Sequence, residues 1–160
     1  MEFSCFFVTC NTAMNGYHGD RASTLEALVE IDGKTWVRTG DLGYLDADGY
    51  LWLKGRKKRI FKLSGMNVYP TEIEKTASAH PDVREAALEF YSEPKPHTKL
   101  FLLKAKNSQR SNEEIKKEIL EALAREQLKY SMPSEIIFID EFPRTKVGKT
   151  DHAALTRTQK

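Results

Sequence analysis

Residues 55–74 have the sequence GRKKRIFKLSGMNVYPTEIE, and this stretch indicates the fold class of the chain. Two short strand-like segments flank Ser64-Gly65-Met66, which predicts a β-hairpin. Thr71 followed by Glu74 matches a capping box, so a helix is predicted to begin at Thr71 and to end before Pro81. A hairpin followed by a helix predicts the start of a mixed α+β unit.

The chain downstream continues this mixed pattern. Ser111 and Glu114 form a second capping box, which predicts a helix that runs to about Leu128. Its apolar residues recur at helical spacing on one face: Ile115, Ile119, Leu120 and Leu123. The other predicted elements are strands over residues 83–91, 99–106 and 135–140, a loop over 142–149, and a short helix from about Asp151. The order β-β-α-β-β-α-β-α predicts an α+β domain, in which a hairpin and a short mixed sheet are packed by about three helices.

The chain upstream of residue 55 predicts a different β unit. Asp46-Ala47-Asp48-Gly49 lies between two strand-like segments, and Asp-Gly tolerates the positive φ that a tight hairpin turn requires. Further strands are predicted over residues 3–9 and 35–38, with a short helix or turn over 20–28.

The composition is that of an ordinary globular protein. The chain has 160 residues, is 40% hydrophobic and carries a formal net charge of +2, which is too small to argue for nucleic acid. Cys5 and Cys10 fit no zinc-ligand spacing and predict reduced thiols without a metal site. The N-terminal residues do not match a signal peptide, and no apolar stretch approaches the ~20 residues that a membrane span needs. We expect a soluble, cytoplasmic chain.

Gly148-Lys149-Thr150 resembles the end of a phosphate-binding loop, but the rest of that motif is absent. Such a loop needs a glycine five positions before its second glycine, and Pro143 stands there without a backbone N–H. What remains is a turn, fixed by proline and glycine, that projects Lys149. A lysine ammonium group can stabilise charge that grows on a carboxylate or phosphate. A solvated surface lysine is the alternative.

Two further features are weak signals when each is taken alone. Asp41 follows a predicted strand between two glycines, so its carboxylate could accept hydrogen bonds from ribose hydroxyls or could close a local Asx turn. Six basic residues from Lys54 to Lys62 form either a solvated face or a non-specific nucleic-acid patch, with the aromatic rings of Tyr69, Phe61 and Trp52 near enough for stacking. The absence of an RNA-binding motif disfavours the second alternative.

These features occur in the order and spacing of the adenylate-forming superfamily, which comprises acyl-CoA synthetases, peptide-synthetase adenylation domains and luciferases. Thr39-Gly40-Asp41 resembles the ribose-binding motif of that superfamily, and residues 55–74 resemble its hinge motif with the hairpin that follows. Residues 143–149 resemble the motif that bears the catalytic lysine. Ala13-Met14-Asn15-Gly16-Tyr17 is similar to the segment that precedes these motifs in acyl-CoA synthetases. The resemblance covers about residues 8–155.

The resemblance implies two domains and a two-step reaction. Residues 1–57 would be the terminal β segment of a large N-terminal domain, and residues 58–160 a mobile C-terminal domain. In this superfamily ATP adenylates a carboxylate and releases pyrophosphate, and the thiol of CoA or of a phosphopantetheine carrier then displaces AMP. The small domain swings about a hinge between the two steps. ATP and CoA are thus the implied cofactors, with Mg²⁺ bound through the N-terminal domain.

The same resemblance implies the roles of the candidate residues in adenylation. Asp41 and Arg56 would be nucleotide-binding and would hold the ribose hydroxyls. Lys58 would be the hinge residue. Lys149 would be catalytic, because it would contact the carboxylate and the phosphate during adenylation.

In the thiol step the resemblance implies that Gly65 lies in the hairpin that reaches the thiol tunnel. Lys62 would face the site in that second orientation. The sequence departs from the superfamily pattern at Thr150 and His152, where an aliphatic residue and a basic or aromatic residue are usual. We therefore expect a difference in the packing of the final helix more than in the chemistry.

The motifs that belong to the large N-terminal domain of the superfamily are absent from this sequence. We therefore expect the isolated chain to be inactive, and to contribute the catalytic lysine and the CoA-facing hairpin to an AMP-forming acid–thiol ligase of fatty acid metabolism. The alternatives are a non-catalytic, stand-alone module that binds CoA or a carrier protein, and a basic RNA-binding domain. The strands of residues 1–57 would lack a packing partner, which predicts self-association through their exposed edges.

Overall fold

The computed structural model describes residues 3–126 and 131–158, and the chain divides into two compact units, Met1–Arg59 and Ile60–Lys160. This division falls two residues after the predicted domain boundary between residues 57 and 58, which stays a prediction. In the described residues, the first unit has one sheet and the second unit has two.

Within residues 3–59, the first unit is a four-stranded antiparallel sheet with one short α-helix. Its elements are β1 Ser4–Val8, α1 Arg21–Ala27, β2 Leu28–Ile31, β3 Lys34–Leu45, β4 Leu51–Arg56 and a 3-10 helix Lys57–Arg59. The long strand β3 pairs with β1, β2 and β4. Asp46 closes the β3–β4 turn, because its carboxylate accepts hydrogen bonds from the backbone of Tyr50 and from the indole of Trp52. The hairpin predicted at this turn is confirmed.

Strand β2 is absent from the elements that the sequence predicts, because it has four residues and follows α1 directly. Asp32 and Gly33 connect β2 to β3 in a two-residue turn with φ values of 52° and 70°. Positive φ at both central residues is typical of the type I′ hairpin turn, which Asp-Gly favours. The Asp32-Gly33 pair is therefore the signal that identifies this hairpin.

In its described residues, the second unit combines a two-stranded hairpin, a three-stranded mixed sheet and three helices. Its elements are β5 Phe61–Leu63, β6 Met66–Val68, α2 Pro70–Ser78, β7 Val83–Tyr91, β8 His97–Lys104, α3 Asn112–Arg125, β9 Glu135–Ile139 and α4 His152–Thr158. β7 pairs with β8 antiparallel, and β8 pairs with β9 parallel. This arrangement confirms the predicted α+β class. Helix α3 ends at Arg125, and Leu128, the predicted end, lies outside the described residues.

The mixed sheet buries both of its faces. On one face, Leu88 packs in a cluster with residues of β6, α2 and α3. On the other face, Ala87 and Phe101 pack against Phe142 and Leu155 of the C-terminal segment. Neighbouring residues of a strand point to opposite faces, so the two clusters lie on opposite sides of the sheet. Helix α3 contributes the buried residues that its periodicity predicts: Ile115, Ile119 and Leu123.

The start of helix α2 differs from the prediction. Tyr69 is the N-cap residue and Pro70 occupies the first helical turn, where its fixed φ is favourable and its missing N–H is not needed. Thr71 is therefore inside the helix. Glu74 Oε1 accepts a hydrogen bond from the backbone of β7 at 2.8 Å instead of reaching back to Thr71. The capping box predicted at Thr71 is wrong, whereas the one predicted at Ser111 is confirmed.

Candidate functional site

Asp41 and Arg56, the predicted nucleotide-binding residues, are register partners in the β3–β4 pair. Arg56 Nε lies 2.7 Å from Asp41 Oδ1, and Arg56 Nη1 donates to the backbone carbonyl of Thr39 at 2.8 Å. The side chain of Asp41 is 29% exposed and that of Arg56 is 61% exposed. The structure therefore brings the two residues together, with a partly buried carboxylate oriented by a guanidinium group.

The backbone around Asp41 is held by Thr39. The Thr39 hydroxyl donates to the carbonyl of Phe6 at 3.0 Å and accepts from the backbone N–H of Asp41 at 3.0 Å. Gly40 between them has a φ of 75°, which glycine adopts without strain. Since Thr39 closes the local turn and the Asp41 carboxylate binds Arg56, the geometry disfavours the Asx-turn alternative.

Lys58, the predicted hinge residue, lies in the 3-10 helix Lys57–Arg59 at the end of the first unit. Its Nζ atom lies 3.7 Å from Glu26 Oε1, and both side chains are mostly exposed. An exposed ion pair of this kind contributes roughly 0–1 kcal/mol. This contact therefore does little to fix the Lys58 side chain, and the hinge role stays a prediction.

The β5–β6 hairpin presents Lys62 and Gly65, the predicted thiol-side residues, to solvent. Strand alternation directs Phe61 and Leu63 toward the core and Lys62 away from it. Ser64 and Gly65 form the turn with φ values of 50° and 82°, and a Cβ added at Gly65 would meet nothing within 4 Å. At Gly65 the tip of the hairpin is thus bare backbone that another molecule can approach closely.

Lys149 projects from a tight turn, as the loop predicted over residues 142–149 requires. Gly148 N–H donates to the carbonyl of Thr145 at 2.9 Å, and Thr145 N–H donates to the carbonyl of Lys149 at 2.8 Å. Gly148 has a φ of 78°. The side chain of Lys149 is exposed, and its ammonium group bonds to none of the residues that the structure describes. A cation is therefore displayed on a defined backbone.

Two carboxylates of β7 that the sequence does not single out bind the segment around Lys149. Glu85 Oε1 lies 2.9 Å from Arg144 Nη1 and 2.6 Å from Thr150 Oγ1. Glu89 Oε1 lies 2.5 Å from His152 Nδ1. The two departures from the superfamily pattern thus take part in tertiary contacts with β7. No local motif reveals them, because Glu85 and Thr150 are 65 positions apart.

The pKa of Glu85 reflects two opposing effects. Burial raises this pKa, but the hydrogen bonds from Arg144 and Thr150 and the charge of Arg144 outweigh burial. The pKa of Glu85 is therefore below its ordinary value, and the carboxylate is ionised at neutral pH.

The hairpin with Gly65 and the turn with Lys149 are anchored on opposite faces of the mixed sheet. Phe61 and Leu63 of the hairpin pack against the cluster that contains Leu88. Phe142, which precedes the Lys149 turn, packs in the cluster on the other face. The two predicted functional elements of this unit are therefore separated by the thickness of the sheet.

In the described part of the chain, no three side chains of His, Cys, Asp or Glu come together in a group that could hold a metal ion. Cys5 and Cys10 are free thiols. No helix within residues 3–126 and 131–158 combines the length and apolar character that crossing a membrane requires.

Known proteins are similar to this chain in sequence and in fold. Residues 72–149 match the protein family described as AMP-binding enzyme C-terminal domain. The chain is 35% identical over 136 residues to indoleacetate–CoA ligase from Aromatoleum aromaticum (strain DSM 19018 / LMG 30748 / EbN1), a match that covers 85% of this chain and 26% of that protein. It is 37% identical over 130 residues to 2-succinylbenzoate–CoA ligase from Bacillus velezensis (strain DSM 23117 / BGSC 10A6 / LMG 26770 / FZB42), a match that covers 78% of this chain and 25% of that protein.

Among solved structures, the anthranilate CoA ligase AuaEII in complex with anthranoyl-AMP matches with a TM-score of 0.82 and 27% identity. The match covers 99% of this chain and 30% of that chain. The chain thus spans about a quarter of the length of the curated CoA ligases that it matches.

Proposed function

The chain belongs, through residues 72–149, to the AMP-binding enzyme C-terminal domain family, and on this premise we propose that it acts as the mobile C-terminal domain of an ATP-dependent, AMP-forming ligase of the acyl-CoA synthetase type. Lys149 supplies the catalytic cation for adenylation of a carboxylate. The hairpin with Lys62 and Gly65 faces CoA or a phosphopantetheine carrier during thioester formation. The alternative of a non-catalytic binding module is not favoured, because the relatives described above are CoA ligases.

The observation that carries this proposal is that the hairpin with Gly65 and the turn with Lys149 are anchored on opposite faces of one sheet. A rigid domain cannot present both faces to one reaction centre at the same time. Two half-reactions that use the two faces in turn therefore require a reorientation of the domain between them. The geometry supports an enzyme that adenylates in one orientation and forms the thioester in the other.

During adenylation, negative charge develops on the α-phosphate and on the reacting oxygens. A cation held in position lowers the energy of that arrangement most effectively where water is excluded. The Lys149 ammonium is free of partners in the described part of the chain, so no ion pair with those residues must break before it reaches a substrate. We assign Lys149 to the stabilisation of this charge.

We assign Asp41 and Arg56 to the ribose of ATP. An ionised carboxylate is an acceptor that can bind two vicinal hydroxyls, and Arg56 orients it from the neighbouring strand. Lys58 is the proposed hinge residue that follows this pair. The proposed partner is a large N-terminal adenylation domain, which provides the acid pocket and the ligands of Mg²⁺.

The proposal extends to the class of carboxylic acid that is activated and to the cellular compartment of the enzyme. We propose an enzyme of fatty acid metabolism, on the basis of the hinge block, which resembles that of acyl-CoA synthetases. We propose a cytoplasmic location on a separate ground, since Cys5 and Cys10 are free thiols, as is usual in a reducing compartment. Aromatic acids are the competing class, because two of the relatives are named for indoleacetate and 2-succinylbenzoate. A panel of both acid classes, assayed for acid-dependent pyrophosphate release by the complete enzyme, separates them.

A chimeric ligase tests the role of Lys149. The C-terminal quarter of the indoleacetate–CoA ligase from Aromatoleum aromaticum is replaced by this chain. Lys149→Ala is then expected to lower indoleacetate-dependent ATP–pyrophosphate exchange by about 10²–10³-fold, the effect of removing one positioned charge-stabilising group. Thioester formation from supplied indoleacetyl-adenylate and CoA is expected to remain largely intact, because Lys149 is turned away in that step.

Lys146→Ala is the matched control, since Lys146 is an exposed lysine on the same turn. We expect this variant to leave both half-reactions unchanged. Equal loss of both half-reactions in the Lys149→Ala chimera, or equal effects of the two substitutions, would contradict the assigned role.

A further inference from the structure

One carboxylate binds both strands of the turn that carries Lys149. Glu85 Oε1 accepts hydrogen bonds from Arg144 Nη1 at 2.9 Å and from Thr150 Oγ1 at 2.6 Å, and Glu85 Oε2 accepts from Arg144 Nη2. Arg144 Nη1 also donates to Thr150 Oγ1 at 3.2 Å. Arg144 and Thr150 are the antiparallel pair that closes the turn. Glu85 therefore binds the two residues from which the turn projects.

The same contacts determine where the backbone of Lys149 lies. Thr150 follows Lys149 directly, and Thr145 is bonded to Lys149 through backbone and hydroxyl groups at 2.8 and 3.2 Å. The long side chain of a lysine reaches a reacting atom reliably only where its Cα is fixed. Because the ammonium group has no partner in the described residues, the backbone anchor is what limits the region that it can reach.

A second carboxylate on the same strand provides a contrast. Glu89 lies on the same face of β7 as Glu85 and Ala87, because strand residues two positions apart share a face. Its carboxylate contacts His152 at 2.5 Å and Thr156 at 3.3 Å. Both of these partners follow Lys149 in the chain. Glu89 therefore holds helix α4 on the sheet, whereas Glu85 holds residues on both sides of Lys149.

We propose that Glu85 is a positioning residue for Lys149, which acts through Arg144 and Thr150. This inference rests on the proposed function of Lys149 in adenylation. Glu85 supports that half-reaction, and the thiol step, which uses the opposite face of the sheet, does not depend on it.

The anchor itself is tested in the full 160-residue chain by amide hydrogen exchange. The Glu85→Gln variant lacks the charge for a bidentate ion pair with Arg144. In this variant the amides of Thr145, Gly148 and Asp151 are expected to exchange about tenfold to a hundredfold faster. This is the effect of losing a hydrogen bond to a charged group. The amide of Phe101 in the sheet core serves as the internal reference and keeps its rate. Thr150→Ser is expected to retain the slow exchange, and Thr150→Val to lose part of it.

Glu89→Gln is the matched control. We expect it to accelerate exchange in α4 and to leave the turn amides at their original rates. If both glutamate variants accelerate the turn amides equally, the two carboxylates only attach the C-terminal segment to the sheet, and the positioning role is overturned.

The pH dependence gives a spectroscopic test of the same anchor. The folded pKa of Glu85 is below its ordinary value, so the anchor is complete at neutral pH and is lost as the pH falls through that lowered pKa. In NMR spectra of the unmodified chain, the amide resonances of Gly148 and Thr150 are expected to shift as Glu85 titrates. In the Glu85→Gln variant these resonances are expected to show no such shift. Identical titrations in both proteins would overturn the proposal.

The chimeric ligase separates this inference from the function on which it rests. Glu85→Gln is expected to lower pyrophosphate exchange by about tenfold to a hundredfold and to spare thioester formation. If Glu85→Gln leaves pyrophosphate exchange unaffected while Lys149→Ala lowers it by about 10²–10³-fold, the positioning role fails and the catalytic role stands. If Lys149→Ala itself leaves pyrophosphate exchange unchanged, the proposed function fails. The hydrogen exchange of the turn amides then still decides whether Glu85 anchors the turn.

Discussion

Gly43 shows how one residue without a side chain shapes the backbone beside Asp41 and Arg56, the proposed nucleotide-binding pair. The β3–β4 register shifts between Leu42 and Gly43, so an irregularity lies two residues from Asp41. A Cβ built on Gly43 would lie 2.1 Å from the backbone oxygen of Trp52 and 2.7 Å from the ring of Phe6. Backbone atoms cannot give way as the end of a flexible side chain can, so only glycine fits here.

Gly43→Ala is expected to lower the free energy of unfolding of the first unit by about 3 kcal/mol, because the added methyl group overpacks a rigid contact. Urea denaturation followed by tryptophan fluorescence measures this, since both tryptophans, Trp36 and Trp52, belong to the first unit. Gly49→Ala is the control. Gly49 has a φ of 84° and open space around it, so its substitution costs only the backbone strain, about 1 kcal/mol. An effect of Gly43→Ala no larger than that of Gly49→Ala would contradict this account.

At the scale of elements, the sequence predicts the helices and turns that are specified by residues close together in the chain. Periodicity and a cap predict α3, and the Asp-Gly turn predicts the β3–β4 hairpin. The start of α2 is mispredicted because two start signals, Pro70 and the Thr71 box, overlap, and the rigid proline decides between them. The Lys149 turn is predicted from its proline and glycine, but its anchor is not. Glu85 reaches that turn only through the folded sheet, so no sequence spacing encodes the contact.

The two predicted capping boxes, of which only the one at Ser111 forms, give a matched test of this difference. Ser111→Ala is expected to lower the free energy of unfolding by about 1 kcal/mol, because the Ser111 hydroxyl accepts a hydrogen bond from the Glu114 backbone that alanine cannot replace. Thr71→Ala removes no N-cap and is expected to change stability by only a few tenths of a kcal/mol. Urea denaturation followed by far-UV circular dichroism measures both variants, and Ser111→Asp should restore the cap. Equal losses in Ser111→Ala and Thr71→Ala would show that the caps are not what distinguishes the two helices.

At the scale of the whole molecule, the apolar core is distributed unequally. Within the described residues, the buried hydrophobic side chains run from Val68 to Leu155 and all belong to the second unit. In the described part of the first unit, Gly43 is the one residue that is buried. Hydrophobic burial is the main favourable contribution to folding, so the second unit has the larger source of stability.

The two units are therefore expected to unfold in separate transitions. Tryptophan fluorescence reports on the first unit, whereas far-UV circular dichroism reports mainly on the helices of the second unit. In urea, the fluorescence transition is expected at a lower midpoint than the circular dichroism transition. Coincident transitions would show instead that the chain unfolds as one cooperative body.

The same imbalance leads to the expectation of self-association. Leu45, Leu51 and Leu53 lie on one face of the β3–β4 hairpin and are 64%, 52% and 63% exposed. Contiguous exposed apolar residues on a short sheet with open edges favour association. Light scattering is expected to show a mean mass that rises with protein concentration, and Leu51→Lys combined with Leu53→Lys should suppress the rise.

Val147→Lys is the control for this association, because Val147 is 79% exposed in the turn of the second unit and lies outside the leucine patch. It should leave the rise in mean mass unchanged. A constant monomer mass in the unmodified chain would contradict the prediction. If the proposed adenylation domain covers this patch in the chimeric ligase, the mean mass of the chimera should not rise with concentration as that of the isolated chain does. The patch would then be the contact surface of the first unit for that domain.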